Sequence, residues 1–430
     1  AYMSDTESDF KKDRDFVIDF FSEFVAPNDK LYDYLEDYRI TWVDDLPVVN
    51  TTIVKRLGKI KPNSPESTII PKLYKDEEDR QYTKDLLLRT ARNNEEYEAE
   101  ILGNTPNWDQ DRIATLDKIL IKMALCEFLR FPSIPIKVTI NEYLELSKEY
   151  STPKSSIFVN GVLDRLVKKY KKERADIILK EGYPSYTTAA GWLGYSNEKI
   201  IDLCKQYMAK GWKHFKIKVG LNLEQDVKRL EIIRNTIGDD CFIMVDANQQ
   251  WSVNQSITHI NAYKKFNLLF VEEPTSPDDV MGFKKIKKAV GNVNLATGEA
   301  CGGRVMFKQF LESGAMDVCQ IDSCRLGSIN EILTVLLMAH KFKVPVFPHA
   351  GGVGLCEYVQ HLCMIDYVLI NGEKNNKVVE YQDSLHEHFK YPCNIKNGNY
   401  MPPLDHGYSI EMKRESVNRY LFPNGEYWSK

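Results

Sequence analysis

Two kinds of hydrophobic pattern divide the chain near residue 175. Before this point, apolar residues recur at three- and four-residue spacings over 109–129, 138–150 and 158–167, as on the buried face of an amphipathic helix. Proline-containing breaks at 132–135 and 151–153 separate these stretches. From Gly182 onward, short apolar or β-branched runs alternate with helical stretches. We therefore predict an all-helical domain over 1–174 and a second domain, with a C-terminal tail, over 175–430.

The alternation in the second part predicts a β/α barrel. The runs that resemble strands occupy 186–188, 215–219, 242–245, 268–271, 295–297, 318–321, 344–347 and 378–379. Strands that alternate with helices are typically parallel, because a helical crossover returns the chain to the same edge. About eight such units in roughly 200 residues suit a closed TIM-type barrel better than an open sheet.

Composition narrows the class of protein. With 43% hydrophobic and 27% charged residues, the chain is typical of a folded protein, and a disordered or low-complexity chain is excluded. The net charge of −4 provides no broad basic field for sequence-independent binding of nucleic acid. We expect no transmembrane helix and, from the acidic first residues, no signal peptide. The nine cysteines form no C-x-x-C pair, which favours a reducing compartment such as the cytoplasm.

Ionisable side chains close five consecutive strand-like runs of the predicted barrel. These residues are Asp246, Glu272, Glu299, Asp322 and His349, at intervals of 23 to 27 residues, about one βα unit each. Positions repeated with that period lie on the same rim of a barrel, and the C-terminal rim is where such barrels hold their active sites. A single carboxylate there is more often a helix cap or a solvated loop residue, but five in phase favour a shared site.

Three of these residues predict a site for a hard divalent cation. Asp246, Glu272 and Glu299 would bring three carboxylates together, and without a cation they would repel one another. Oxygen ligands on rigid strands suit Mg²⁺, which keeps waters and can bind a substrate carboxylate. Zinc is less favoured, because His349 is the one imidazole on this rim.

Two pairs of residues suggest acid–base chemistry. Lys216 and Lys218 are two apart on one strand, so both should face the barrel interior, as a base and an electrophile or as structural partners of carboxylates. A neighbouring cation and a metal would lower a lysine pKa and make a basic amine available. Asp322 and His349 could form a hydrogen-bonded dyad, with a structural histidine as the alternative. The imidazoles on predicted helices or loops receive no role: His340, His386, His388 and His406.

Short blocks of the first part resemble the C-terminal half of the NusB family of transcription antitermination factors. The blocks are Asn107-Trp108-Asp109, Asp111-Arg112-Ile113-Ala114, 134–138, Asn141-Glu142 and 158–164. That family is all-helical and binds RNA and ribosomal protein S10, so the resemblance implies the same fold and these partners for 1–174. The basic N-terminal helix through which the family contacts RNA is not visible here, which argues against RNA binding by this chain.

The second part resembles the enolase superfamily in its mandelate racemase branch, most closely the L-fuconate dehydratases and their mitochondrial relatives. The matching blocks are Lys216-Ile217-Lys218, 245–249, 272–279, Gly298-Glu299, Gln320-Ile321-Asp322, 348–357 and 386–389. The resemblance covers 175–430 and implies a TIM-type (β/α) barrel. It also implies that the three carboxylates bind Mg²⁺, and that Lys218 abstracts the proton α to the carboxylate of a sugar acid. Lys216 and the metal would then stabilise the enediolate.

The same resemblance implies roles for three further residues in a dehydration reaction. His349, oriented by Asp322, would protonate the departing 3-hydroxyl, and Glu380 would lie near the metal-bound enediolate. The expected activity is that of a hydro-lyase in carbohydrate acid catabolism, which converts an L-fuconate-like acid to a 2-keto-3-deoxy acid. In this family an α+β capping domain precedes the barrel and closes the site. Here the helical segment takes its place, so we expect an intact metal site and reduced activity.

Two alternative functions stay open at this point. One is a NusB-like adaptor that binds RNA or ribosomal protein and carries an inactive barrel, and the other is a chimeric chain with neither function complete. A mitochondrial location is the alternative to the cytoplasm. A homo-oligomer is compatible with the sequence, and no membrane partner is expected.

Overall fold

The computed structural model describes residues 9–38, 42–65, 68, 74–105, 113–131, 134–375 and 377–428. The chain divides into two compact units, residues 1–88 and 89–430. Within these ranges, no helix combines the length and apolarity needed to cross a bilayer. All nine cysteines lie in the described part of the chain and have free thiols, as their spacing predicted.

The first unit is helical. It contains α1 (Phe10–Phe20), which continues into a wider turn at Phe21–Val25, followed by α2 (Asp29–Tyr38) and α3 (Trp42–Leu57). Helix α4 (Glu77–Arg92) begins in this unit and ends in the second. Helix α4 has three acidic residues in its first turn and two basic residues in its last turn, an arrangement that complements the helix dipole.

The second unit begins with further helices, as the periodic pattern predicted. They are α5 (Asn94–Asn104), α6 (Thr115–Arg130), α7 (Ile136–Tyr150) and α8 (Ser155–Glu181). Buried hydrogen bonds join them, since Glu127 of α6 accepts from Thr139 and Tyr143 of α7 at 2.8 Å each. The predicted helix start at 109 and the NusB-like blocks at 107–109 and 111–112 lie outside the described residues.

Helix α8 runs without a break through the predicted domain boundary. It ends at Gly182, whose φ of +72° and close approach to the carbonyl oxygen of Tyr400 leave no room for a side chain. The boundary at 174/175 therefore falls inside a helix, while the compact units divide at 88/89. As a domain boundary, 174/175 stays a prediction.

A ring of parallel strands follows α8. The strands are β1 (Tyr183–Thr187), β2 (His214–Lys218), β3 (Phe242–Asp246), β4 (Leu268–Glu272), β5 (Leu295–Thr297), β6 (Val318–Cys319) and β7 (Val379–Tyr381). Each pairs with the next from β1 to β6, and β7 pairs with β1. The segment 344–349 closes the ring, because Phe347 donates a backbone hydrogen bond to Cys319 and Glu380 donates one to Pro348. This is the predicted barrel, with 344–349 as its eighth strand.

Helices cover the outside of the ring. They are α9 (Asn197–Ala209), α10 (Leu223–Ile237), α11 (Val253–Tyr263), α12 (Val280–Val290), α13 (Arg304–Ser313), α14 (Ile329–Lys341) and α15 (Leu355–Ile365). A hairpin of β8 (Asn394–Lys396) and β9 (Asn399–Met401) pairs antiparallel with β1, and α16 (Arg414–Tyr420) follows. Large side chains such as Phe270 and Phe347 fill the lumen, so the ring is a packed core and not a pore.

Candidate active site

Charged side chains end three neighbouring strands at the same rim of the barrel. Lys218 is the last residue of β2, Asp246 of β3 and Glu272 of β4. The strand register pairs Lys218 with Asp246 and Asp246 with Glu272. Because the strands are parallel and in this register, the three side chains are neighbours, as their spacing predicted.

Two glycines make room for the next residues of this rim. Gly298 precedes Glu299 with a φ of +137°, and a Cβ there would lie 2.5 Å from the carbonyl oxygen of Gln320, so only glycine fits. A Cβ on Gly351 would lie 2.5 Å from Nε2 of His349. The second glycine therefore leaves space for the imidazole.

Lys216 connects three strands across the barrel interior. Its Nζ donates to both carboxylate oxygens of Glu272 at 2.9 Å, and it lies 3.0 Å from Glu380 and 3.7 Å from Asp246. It also donates to the hydroxyl of Tyr186 at 3.3 Å. Only 1% of Lys216 is exposed, so this position in the lumen agrees with the predicted face of β2.

The carboxylates around Lys216 decide its charge. Burial alone would lower the pKa of Lys216, but attraction to Glu272 and Glu380 holds that pKa well above its usual value. Lys216 is therefore a charged ammonium in this structure. The reason is that the ammonium faces several acidic groups and its lysine neighbour does not offset them. The expectation that a metal and a neighbouring cation lower a lysine pKa stays a prediction for the site with its metal.

The pKa values of the two buried glutamates, Glu272 and Glu380, shift in opposite directions. Burial and repulsion from Asp246 raise the pKa of Glu272 well above its usual value, although Lys216 opposes this. Burial would also raise the pKa of Glu380, but Lys216, His349 and the donated N–H of Ala350 lower it to about 2. Glu380 is therefore an ionised carboxylate inside the barrel.

Lys218 lies closer to the mouth than Lys216. Its Nζ donates to Oδ2 of Asp246 at 2.5 Å and lies 5.5 Å from the ring centroid of Trp192. Its side chain is 15% exposed, compared with 1% for Lys216. The amine that the sequence singled out as a base is thus the accessible one of the pair.

His349 and Asp322 form the predicted hydrogen-bonded pair. Nδ1 of His349 lies 2.7 Å from Oδ2 of Asp322, whose other oxygen accepts from two backbone N–H groups of the following turn. Nε2 faces Glu299 at 3.2 Å and Glu380 at 3.5 Å. Although burial disfavours the charged imidazole, these carboxylates raise the pKa of His349 to about 9. His349 is therefore a proton donor at neutral pH.

The three predicted metal ligands fit a hard divalent cation by donor type. Asp246, Glu272 and Glu299 are carboxylates at neighbouring strand ends, and carboxylate oxygens are the ligands that such a cation prefers. The ammonium of Lys216 lies 3.7 Å from Asp246 and 2.9 Å from Glu272, and so contacts two of the three carboxylates. Among the described residues, the group whose donor atoms all lie within 4.8 Å of one another is Glu357, His386 and Cys393.

Two neighbouring residues were missed as members of this site. Gln320 donates from Nε2 to Glu272 at 2.7 Å, and Glu273 accepts from Gln249 at 2.9 Å. Burial, with repulsion from Glu299, raises the pKa of Glu273 to about 7. Gln320 is the one polar residue inside the predicted strand 318–321, and this was the signal that could have identified it.

We expect Lys216 to stabilise the folded barrel when no divalent cation is bound. Because Lys216→Met would remove the buried ammonium that Glu272 and Glu380 share, we expect the free energy of unfolding to fall by about 3–5 kcal/mol. Lys228→Met removes one member of an exposed ion pair with Glu224, and it should change the free energy of unfolding little. Urea denaturation without divalent cations measures the free energy of unfolding of both variants. Equal losses in the two variants would contradict a stabilising role of Lys216.

Comparisons with known proteins agree with this architecture. The model of the family described as Enolase C-terminal domain-like matches residues 199–416, and the NusB family model matches 63–168. Mitochondrial enolase superfamily member 1 of Xenopus laevis is 53% identical over 265 residues, which are 61% of this chain and 60% of that protein. L-galactonate dehydratase of Hypocrea jecorina is 50% identical over 256 residues, which are 59% of this chain and 56% of that protein.

A solved structure extends the similarity. The crystal structure of human mitochondrial enolase superfamily member 1 aligns with a TM-score of 0.59 and 37% identity, covering 90% of this chain and 85% of that one. The chain spans about 60% of the length of the curated relatives that it matches. The family match covers half of the chain and includes β2 to β7 with their polar strand ends. The chain therefore belongs to the Enolase C-terminal domain-like family.

Proposed function

We propose that this protein is a Mg²⁺-dependent hydro-lyase that dehydrates an acid sugar to a 2-keto-3-deoxy acid. The observation that supports this most is the joint presence, at one rim, of an accessible amine on Lys218 and a protonated imidazole on His349. Removal of water from a 2,3-dihydroxy acid needs both a base for the α-proton and an acid for the 3-hydroxyl.

Asp246, Glu272 and Glu299 are the residues that would hold the metal. When bound, Mg²⁺ supplies positive charge to the substrate carboxylate and so favours ionisation of the neighbouring C–H bond. Lys216 contributes a second fixed positive charge, because its ammonium stays protonated among buried carboxylates. Fixed charge in a site that excludes water is worth far more than in solution.

The proton leaves first in this proposal. Lys218 accepts the proton from the carbon next to the carboxylate, and negative charge spreads onto the carboxylate oxygens. Asp246, which accepts a hydrogen bond from Lys218 at 2.5 Å, orients the amine along the rim. The positive charge of Lys216 stabilises the negative charge as it develops.

The hydroxyl then leaves as water. His349 donates its Nε2 proton to the 3-hydroxyl, the C3–O bond breaks, and a C2–C3 double bond forms that tautomerises to the 2-keto acid. Asp322 holds Nδ1 of His349 at 2.7 Å and so fixes the direction in which Nε2 points. The proton taken by Lys218 and the one given by His349 leave the net protonation of the site unchanged.

The substrate that we propose is L-fuconate or a close homologue. One relative is named L-galactonate dehydratase, and L-fuconate is the 6-deoxy form of the same sugar acid. Both acids present the same arrangement at C2 and C3, where the two reacting groups would act. A pocket that binds one of these acids should therefore distinguish it from the other only through contacts to C6.

The test is product formation by the full chain. We expect L-fuconate or L-galactonate, incubated with a high concentration of the protein and Mg²⁺, to yield a 2-keto acid that is detectable by the absorbance of its semicarbazone. Chelation by EDTA should remove the activity and added Mg²⁺ should restore it. Absence of product from both acids, with Mg²⁺ shown to bind, would contradict the proposed activity.

A second candidate function rests on the match of residues 63–168 to the NusB family. In this proposal the helical segment binds RNA or ribosomal protein S10, as the NusB resemblance implies. Electrophoretic mobility of a labelled RNA hairpin with the full chain, alone and with S10, tests it. Unchanged mobility under both conditions would contradict it.

We also propose a mitochondrial location for the protein. Two relatives, from Xenopus laevis and Homo sapiens, carry that location in their names. Nine free thiols are compatible with the reducing interior of that organelle as well as with the cytoplasm. Fractionation of cells that express the tagged full-length protein would distinguish the two.

A further inference from the structure

A second cluster of metal-ligating side chains consists of residues other than the predicted rim ligands. Glu357 is in the first turn of α15, His386 is in the short helical turn after β7, and Cys393 directly precedes β8. One ligand atom from each lies within 4.8 Å of the other two. Nδ1 of His386 is 2.6 Å from Oε1 of Glu357 and 3.6 Å from Sγ of Cys393. The proposed dehydration uses none of the three.

Glu357 is a buried carboxylate with half of its hydrogen-bonding capacity unused. Only 1% of the residue is exposed, and Oε1 takes both the contact with His386 and a hydrogen bond from the backbone N–H of Cys393. Oε2 is buried and has no hydrogen-bond partner among the described residues. An ionised oxygen without a partner in the interior is costly, so this group is suited to receive a cation.

His386 is already oriented as a metal ligand. Its Nε2 lies 2.8 Å from the carbonyl oxygen of Gln382, and because a carbonyl can only accept, Nε2 carries the hydrogen. Nδ1 is therefore the ring nitrogen that a metal would bind, and it is the one that faces the carboxylate and the thiol. Metal-bound histidines usually donate their other N–H to a carbonyl or carboxylate in this way.

In the absence of metal, a proton takes the cation's place. The hydrogen bond to Glu357 raises the pKa of His386 to about 9, so Nδ1 holds a proton that bridges to the carboxylate. A second thiol lies alongside, since Cys356 directly precedes Glu357 and its Sγ lies 3.7 Å from the carbonyl oxygen of Gln382. Sγ of Cys356 also accepts from the backbone N–H of Gln382 at 3.4 Å.

We propose that Glu357, His386 and Cys393 bind a borderline divalent cation, in the first place Zn²⁺, with Cys356 or water as a further ligand. Carboxylate oxygen, imidazole nitrogen and thiolate sulfur together form a ligand set that zinc prefers and magnesium does not. The cation would join α15, the turn after β7 and the start of β8. Its role would be structural, because β7 carries Glu380 and the hairpin of β8 and β9 pairs with β1.

Cobalt is the most direct probe, because Co²⁺ bound to thiolate has a sulfur-to-metal charge-transfer band in the near ultraviolet. We expect the full chain to bind Co²⁺ with this band and to lose the band when Zn²⁺ displaces the Co²⁺. Cys393→Ser, which keeps the size of the side chain, should abolish the band and weaken Zn²⁺ binding by at least about 10–100-fold, the usual loss from outer-shell changes alone.

Matched controls separate this site from others. Cys324→Ser removes an exposed thiol outside the cluster and should leave the band and the zinc affinity unchanged. Glu299→Gln alters the rim carboxylates and should also leave them unchanged, so the result does not depend on the proposed dehydration. Circular dichroism confirms that each variant is folded. A band that persists in the folded Cys393→Ser protein, or that is lost in Glu299→Gln, would overturn the proposal.

Discussion

Replacing Lys218 by alanine is expected to lower the rate of acid-sugar dehydration by about 10²–10⁴-fold, the usual contribution of a general base. Lys218 is the accessible amine of the pair, and its Nζ lies at the rim beside Asp246. The loss should be mainly in kcat, because the proton is transferred only in the transition state. Exchange of the substrate α-proton in deuterated water, followed by NMR, should be lost in parallel.

Lys218→Arg is the informative companion to this substitution. Arginine keeps a cation beside Asp246 but remains protonated, so it cannot accept a proton. We expect Lys218→Arg to be as inactive as Lys218→Ala, while Lys228→Ala, at an exposed position on α10, should retain the activity of the unchanged chain. Full activity of Lys218→Arg would show that the residue acts by its charge and not as a base.

Glu299→Gln is expected to weaken Mg²⁺ binding and to lower turnover by on the order of 10³-fold or more, because a metal supplies several kcal/mol of transition-state stabilisation. Glutamine has the same shape but lacks the negative charge, and Glu299 is one-fifth exposed, so the fold should tolerate the change. Titration calorimetry with Mg²⁺ and the dependence of rate on Mg²⁺ concentration measure the two effects separately.

The dependence on metal concentration distinguishes two roles of Glu299. If the residue serves mainly to bind Mg²⁺, high Mg²⁺ should restore much of the lost rate. If its contact with His349 at 3.2 Å matters more, saturating Mg²⁺ should leave the rate low. Glu312→Gln, in an exposed pair with Lys308, is the matched control, and a Glu299→Gln protein with unchanged Mg²⁺ affinity would argue against Glu299 as a ligand.

The barrel and the position of its polar rim could be predicted from local patterns. Strand β5 (Leu295–Thr297) was predicted to the residue, and β3 and β4 each extend one residue beyond their predicted ends, onto Asp246 and Glu272. The reason is that strand alternation and the interval of one βα unit are properties of the chain itself. Side chains at that interval must share a rim once parallel strands close into a ring.

Charge states and long-range contacts could not be predicted in this way. The charge of Lys216 depends on Glu272 and Glu380, which other strands bring to within 3.0 Å. His386 was given no role, since its ligand-like orientation depends on Glu357, 29 residues earlier in the chain. Helix α8 likewise continues through 174/175. The amino-acid composition changes at this point, but the helical hydrogen bonding of the backbone is uninterrupted.

Residue type and spacing thus define which chemistry is present and on which edge of the barrel it lies, because both follow from local backbone geometry. Protonation, ligand sets and the limits of compact units follow from groups that are distant in the chain and adjacent in space. Electrostatic interactions act over a few ångströms, so they are set by the packing of the strands and not by the order of the residues.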